Sequence, residues 1–354
     1  MICQSGKGAT PLPFGGFSNR FLWASDGCFE KKAARFLLKA PCGAAFTPGK
    51  GGEYLVKPAT FLITFINGLQ LGSVYALIAL GYTMVYGIVK LINFAHGDIL
   101  MVGSYVVLFM LTTVFAAQTL VAKIIAVAAA IIFCVVLGIV IDRVAYTPLR
   151  SAPRISALIT AIGVSLALQI IAQLIFGSEQ IKFPAVLINE TLFKIGKKPV
   201  KSLPIITCIV SVVLMLLLNL FVNKTKPGRA MRAVSEDMGA AKLMGINVNN
   251  TISLTFAIGC SLAAVGSVFY AQKVGYVKPL MGSLPGIKAF IAAVFGGIGS
   301  IPGAVLGGFV IGMLETFVNY FASEYVDAVV YGLLIVVLLV RPAGILGKPM
   351  REKV

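Results

Sequence analysis

The chain alternates long apolar runs with short polar joints. The runs lie near residues 60–88, 98–117, 119–141, 155–177, 203–222, 252–272, 286–319 and 326–340. About 20 consecutive apolar residues wound as a helix cross the ~30 Å hydrocarbon core of a bilayer. The run 286–319 is interrupted by Gly296, Gly297, Gly299, Pro302 and Gly303, which predicts two short crossings or a broken, re-entrant pair. The pattern predicts an all-α polytopic integral membrane protein with about eight or nine transmembrane helices. Its membrane domain covers 58–348, between an N-terminal tail, 1–57, and a short C-terminal tail, 349–354.

One polar joint is unlike the others. Residues 224–250, KTKPGRAMRAVSEDMGAAKLMGINVNN, form a basic island between two apolar runs, so they must lie in water. Ser235 is the expected N-cap of a short surface helix, with Glu236 and Asp237 in its first turn, where the helix dipole favours acids. Ala240, Ala241, Lys242, Leu243 and Met244 are good helix formers, and Gly245 supplies a stop. Such a knob is needed where something outside the membrane pushes on the bundle.

Composition agrees with a membrane protein: 58% of residues are hydrophobic and 12% charged, against roughly 25% charged in soluble domains. The net charge of +17 is assigned to loops that hold the cytoplasmic side of the bilayer, because no stretch interleaves basic and aromatic residues as a nucleic-acid groove does. Positive loops at 142–154 and 224–250 and the basic C-terminal tail are therefore expected in the cytoplasm. Segment 178–202 disagrees, since it carries five lysines yet alternation places it outside.

Residues 1–57 hold eight Lys/Arg and three Asp/Glu and show no sustained period. They read either as a disordered tail or as translated leader ahead of a start near Leu55 or Val56.

Candidate chemistry is sparse. With one His and no CxxC pair, the six cysteines predict no structural metal site, and no cofactor is expected. No GxxxxGK[ST] loop occurs, so ATP hydrolysis by that chemistry is excluded, and a Ser/His/Asp constellation is unsupported. Asn93, His96 and Asp98 gather at the end of one run and predict either a proton relay or, more simply, a hydrogen-bonded turn at the membrane interface. Glu315 is the sole acid well inside an apolar run, whereas Lys288 falls near a boundary. Gly299, Gly303 and Gly307 recur every four residues, as do Gly308 and Gly312, while Pro302 is expected to interrupt a helix. Gly299, Pro302 and Gly303 are thus candidates for lining a pathway or for close packing.

Five segments carry a resemblance: NGLQLGSVYALIALGYTMVYG (67–87), INFAHGD (92–98), the RA…SEDMGAAKLMGIN stretch (229–247), KAFIAAVFGGIGSIPGAVLGG (288–308) and RPAGILG (341–347). Over roughly 59–354 the chain resembles the Liv-type branched-chain amino acid ABC transporter permeases. The resemblance implies a permease domain without enzymatic activity, set in a bacterial cell membrane. It further implies a second related permease, ABC ATPase subunits and an extracytoplasmic substrate-binding protein as partners. The island is similar to the coupling loop of such importers, whose usual pattern is Glu-Ala-Ala-xxx-Gly. Ala240, Ala241 and Gly245 fit it; Gly239 stands where the Glu belongs, and Glu236 lies one turn earlier. Ser235, Glu236, Asp237, Ala240, Ala241 and Gly245 are the coupling candidates that follow. Rival readings are a permease of the same type for urea or short amides, and an ion-coupled secondary transporter built on His96 and Glu315.

Overall fold

A computed structural model of the protein describes residues 58–347, apart from 91–92, 116–118, 151, 188, 196–197 and 342. The expectations for 1–57 and 349–354 lie outside the described residues.

The chain is a bundle of helices. In order they are α1 (Pro58–Val89), α2 (His96–Phe109, continued as a π-turn to Val114), α3 (Leu120–Ile141), α4 (Arg154–Phe176), α5 (Ser202–Lys224), α6 (Lys226–Glu236), α7 (Met238–Leu243), α8 (Val248–Val274), α9 (Ser283–Gly296), α10 (Ile301–Ala322) and α11 (Val326–Val340). Among the described residues, seven stretches are long and apolar enough to cross a membrane; the last of them, Ile301–Val340, contains both α10 and α11, and α9 is shorter.

Helix α1 is the hub and packs against α5, α8, α9 and α10. Its middle, Val74 to Leu80, is wholly buried, so its glycines and alanines serve contact with neighbouring helices. Helix α3 meets α8 through a stripe of small residues spaced by four, Ala122, Ala126, Ala130, Cys134 and Gly138, all buried. The opposite faces of α3, α4 and α5 leave Ile132, Leu174 and Leu217 exposed, as lipid-facing surfaces require.

The interrupted run resolves into a helical hairpin. Helix α9 ends at Gly297, whose φ of 105° only glycine adopts readily, and α10 begins four residues later. Pro302 does not interrupt a helix. It sits in the first turn of α10, where an N–H has no partner to lose, behind the N-cap Ser300, which accepts from the Gly303 N–H at 3.3 Å.

Helix α11 runs back against α10. Lys288 Nζ lies 2.8 Å from Glu315 on α10 and 2.9 Å from Asp327 on α11. A straight helix would hold those two acids ~18 Å apart, so the chain must reverse at the Ser323–Tyr325 turn.

Segment 178–202, whose lysines favoured the cytoplasm, lies at the end of the bundle opposite the island, as alternation requires. Its hairpin of β2 (Thr191–Ile195) with β3 (Lys198–Lys201) and its β1 (Ile181–Lys182) pairing with β4 (Tyr276–Val277) gather there with the C-terminal end of α8.

Helices α2 and α9 share an unusual start. His96 would overlap any side chain placed at Gly81 of α1 and lies beside Gly259 of α8. At ~1.5 Å per residue, Gly81 is about 12 Å from the Val89 end of α1 and Gly259 about 16 Å from Val248 of α8. Helix α2 thus begins beside the inner stretches of α1 and α8 rather than at their ends, and Gly97 there touches the backbone of Gly282 and Gly286 at the start of α9. Two helix N-termini meet at the centre of the bundle.

Candidate functional site

The polar island folds as two helices rather than one. Helix α6 starts at Thr225, whose hydroxyl accepts from the Gly228 N–H at 3.1 Å. Gly228 lies so close to the Phe221 and Val222 carbonyls that a side chain there would collide with the end of α5. The helix is amphipathic: Met231 and Val234 are buried, while Lys226, Arg229, Arg232 and Glu236 face water.

Ser235 is not the N-cap. It belongs to the last turn of α6, and its hydroxyl donates back to the Arg232 carbonyl at 2.7 Å. Glu236 is the last residue of α6. The cap of α7 is Asp237, which accepts from the N–H groups of Gly239 at 2.8 Å and Ala240 at 3.0 Å. An acid is better placed there than a hydroxyl, because its charge also meets the positive helix end.

Gly245 closes α7 as expected, with φ 77°. The Ile246 N–H donates to the Ala241 carbonyl at 3.0 Å and the Gly245 N–H to the Lys242 carbonyl at 3.1 Å, the paired bonds of a Schellman turn. Asn247 then caps α8 by accepting from the Asn250 N–H at 3.1 Å. The start of α8 is tied sideways: Ser253 donates to Asp142 at 2.6 Å, and Arg150 pairs with Asp142 at 2.8 Å while also donating to Asn249.

Of the coupling candidates, Ala241 points inward and is buried; Glu236, Asp237, Ala240 and Gly245 are exposed. The residues that project farthest are Leu243 and Met244, which are 90% and 82% exposed. The sequence presented them only as helix formers. Two apolar side chains standing in water beside a rigid turn are suited to burial against a partner.

Asn93, His96 and Asp98 gather around the start of α2, where Gly81 and Gly259 leave room for the imidazole. Tyr146 donates to Asn93 at 2.8 Å. Asp98 accepts from Gln169 at 2.9 Å and from Ser165, both on α4, and Gln169 reaches Ser283 of α9 at 3.1 Å. Asn93 and His96 line a void of about 10 Å³, room for roughly one water molecule.

Glu315 stands elsewhere. One of its oxygens takes the Lys288 ion pair and the other accepts from the Tyr75 hydroxyl at 2.8 Å. Lys288 is buried within α9 and flanked by two acids. Glu315 also borders a cavity of about 720 Å³ between α1, α5, α8 and α10. That cavity lies toward the β-hairpin end, away from α6 and α7.

Gly303 and Gly307 pack on the backbone of α9, and Gly308 and Gly312 on that of α1. Gly299 borders a small cavity beside Met231 and Ser235 of α6. Neither Pro302 nor Gly303 is among the residues lining the large cavity.

Comparisons with known proteins agree with this architecture. Residues 64–338 match the family model described as branched-chain amino acid transport system / permease component. The chain is 46% identical over 302 residues to the high-affinity branched-chain amino acid transport system permease protein BraD of Pseudomonas aeruginosa, covering 83% of this chain and 98% of that protein. It is 44% identical, over the same shares, to the high-affinity permease protein LivH of Escherichia coli K12. The probable branched-chain amino acid transport permease protein LivH of Methanocaldococcus jannaschii is 31% identical over 288 residues, 78% of this chain and 89% of that one. No solved structure matches. A multi-pass helical bundle with a water-exposed double helix at one end, matched over this length, belongs to the branched-chain amino acid transport system permease family.

Proposed function

We propose that this chain is one permease subunit of an ATP-driven importer in a bacterial cell membrane. With a second related permease it forms the pathway for branched-chain amino acids. Separate ATPase subunits bind the cytoplasmic end, and an extracytoplasmic binding protein delivers substrate to the other.

The observation that carries the mechanism is the α6–α7 unit with Leu243 and Met244 exposed at its tip. A groove on an ATPase that buries those two side chains grips the unit. Closure of the ATPases around ATP then displaces it. Displacement passes to α5 through the tight Gly228 turn and to α8 through the Gly245–Asn247 turn, and it reaches the α3–α4 joint through Asp142 and Arg150. Energy enters because the ATPase binds the two arrangements with different affinity. Ser235 and Glu236 complete α6, Asp237 and Ala240 hold the start of α7, and Ala241 seats it on the bundle. Their role is mechanical.

Glu315 is paired with Lys288 and so does not stand as an isolated carboxylate for ion coupling. Reconstitution tests the proposal. The chain with its partners and the binding protein in vesicles is expected to concentrate leucine only when ATP is supplied. Leucine accumulation by this chain alone, without ATPase or nucleotide, overturns it.

A further inference from the structure

The cavity of about 720 Å³ mixes aliphatic and polar groups in its lining. Ile63, Ile66, Leu71, Leu203 and Pro204 supply aliphatic surface. Gln70, Tyr75 and Tyr270 supply polar groups, with further amides at Asn67, Asn189, Gln272 and Asn319. The charged residues that line it are of both signs: Lys201, Lys273 and Glu315. Around Lys288 stand two acids, Glu315 and Asp327, so this cluster keeps one surplus negative charge. Lys273 borders the same cavity from the end of α8, within electrostatic reach of Glu315 but joined to no acid by an ion pair among the described residues.

Gln70 adds an independent sign. It is only 4% exposed, it borders the cavity, and its amide nitrogen has no hydrogen-bond partner. Leaving such a donor unpaired in a buried position costs about 1–3 kcal/mol, a cost that a bound acceptor would remove. The Glu315 oxygens each hold one hydrogen bond and keep capacity for another.

We infer that this cavity is a binding site for a zwitterionic aliphatic amino acid within the permease itself. The Lys273 ammonium and the Gln70 amide hold the α-carboxylate. Glu315 and the tyrosine hydroxyls hold the α-ammonium, and the aliphatic residues cover the side chain. A simple anion would meet Glu315, and a simple cation would meet Lys201 and Lys273. A neutral amide would leave both charges unpaired. The inference rests on the transport reading above and adds to it a selectivity step downstream of the binding protein.

The test uses the assembled permeases and ATPases in lipid nanodiscs, without nucleotide or binding protein, and reads saturation-transfer NMR from millimolar probes. The probes are leucine, leucinol, which lacks the carboxylate, and 4-methyl-2-oxopentanoate, which lacks the ammonium. Leucine is expected to bind more tightly than either. Lys273→Gln is expected to weaken leucine by roughly tenfold, the effect of losing one charge-assisted contact, and to leave leucinol unchanged. Gln70→Leu, a milder change, is expected to weaken leucine and not leucinol. Each variant is first shown to co-purify with its partners. Equal binding of leucine and leucinol, or unaltered leucine binding in both variants, overturns the inference. So does absence of leucine binding to the unaltered assembly. ATP-driven uptake by that same preparation with its binding protein then reports separately on the transport reading.

Discussion

Lys288 and Glu315 meet at 2.8 Å although they belong to different helices; Lys288 is buried and Glu315 is partly buried at the edge of the large cavity. The pair fixes the depth of α9 against α10, and through Asp327 it also sets the reversal of α11. Removing one partner of a buried pair costs about 3–5 kcal/mol, because the remaining charge is stranded. Lys288→Met is therefore expected to lower the thermal midpoint of the purified protein markedly. Adding Glu315→Gln to that variant is expected to restore part of the loss. A melt followed by size-exclusion chromatography measures both; additive losses would show that the two groups do not act as a pair.

Gly245 has a left-handed backbone and open space where a side chain would stand. Substitution there is strained by conformation alone. Gly245→Val is expected to cost about 1–2 kcal/mol, confined to the α7–α8 turn. The protein should still insert and assemble, while ATP hydrolysis continues with uptake sharply reduced. Paired assays of phosphate release and leucine uptake in vesicles check this.

Leu243 and Met244 touch little of their own chain, so Leu243→Ser with Met244→Ser should leave the melting point unchanged. Loss of two central apolar anchors typically costs an interface about 2–4 kcal/mol. ATPase retained on affinity-purified permease should fall by more than about tenfold. Full retention would place the docking surface elsewhere.

Asp237→Ala removes acceptors from two N–H groups. The expected cost is about 1 kcal/mol, enough to speed amide exchange at Gly239 and Ala240 by roughly fivefold if α7 opens locally. Exchange in α6, whose cap is Thr225, should not change.

Gly97→Ala tests the meeting of α2 and α9. The added methyl would lie 2.8 Å from the Gly282 carbonyl and from Gly286 Cα, both backbone. No rotamer change relieves that overlap. The variant is expected to be recovered from membranes at a small fraction of the normal yield, and a normal yield would disprove the close approach.

Much of this arrangement was legible as residue spacing. Apolar run lengths located the crossings, and a lone Gly after Leu243 and Met244 located the end of α7. The cap at the other end was not legible, since Ser235 and Asp237 are both good caps and only the extra turn of α6 decides between them. A six-residue helix is also too short to show which side faces water, so Leu243 and Met244 gave no sign of their exposure. The ion pairs of Lys288 were hidden for a different reason. Its partners lie 27 and 39 residues away, and helical periodicity carries no information across such distances. The same holds for Gln70, Lys273 and Glu315, which only the assembled bundle brings to one cavity. Glycine spacing announced close packing in α10 but not the two partners it serves.

Those two partners have a mechanical consequence. With Gly303 and Gly307 against α9 and Gly308 and Gly312 against α1, α10 is gripped on both flanks by main chain. No flexible side chains lie between the three rods at those points to act as bearings. They form a plank, which tilts as one piece or not at all, and a nudge at the edge beside α6 arrives at the far edge undiminished.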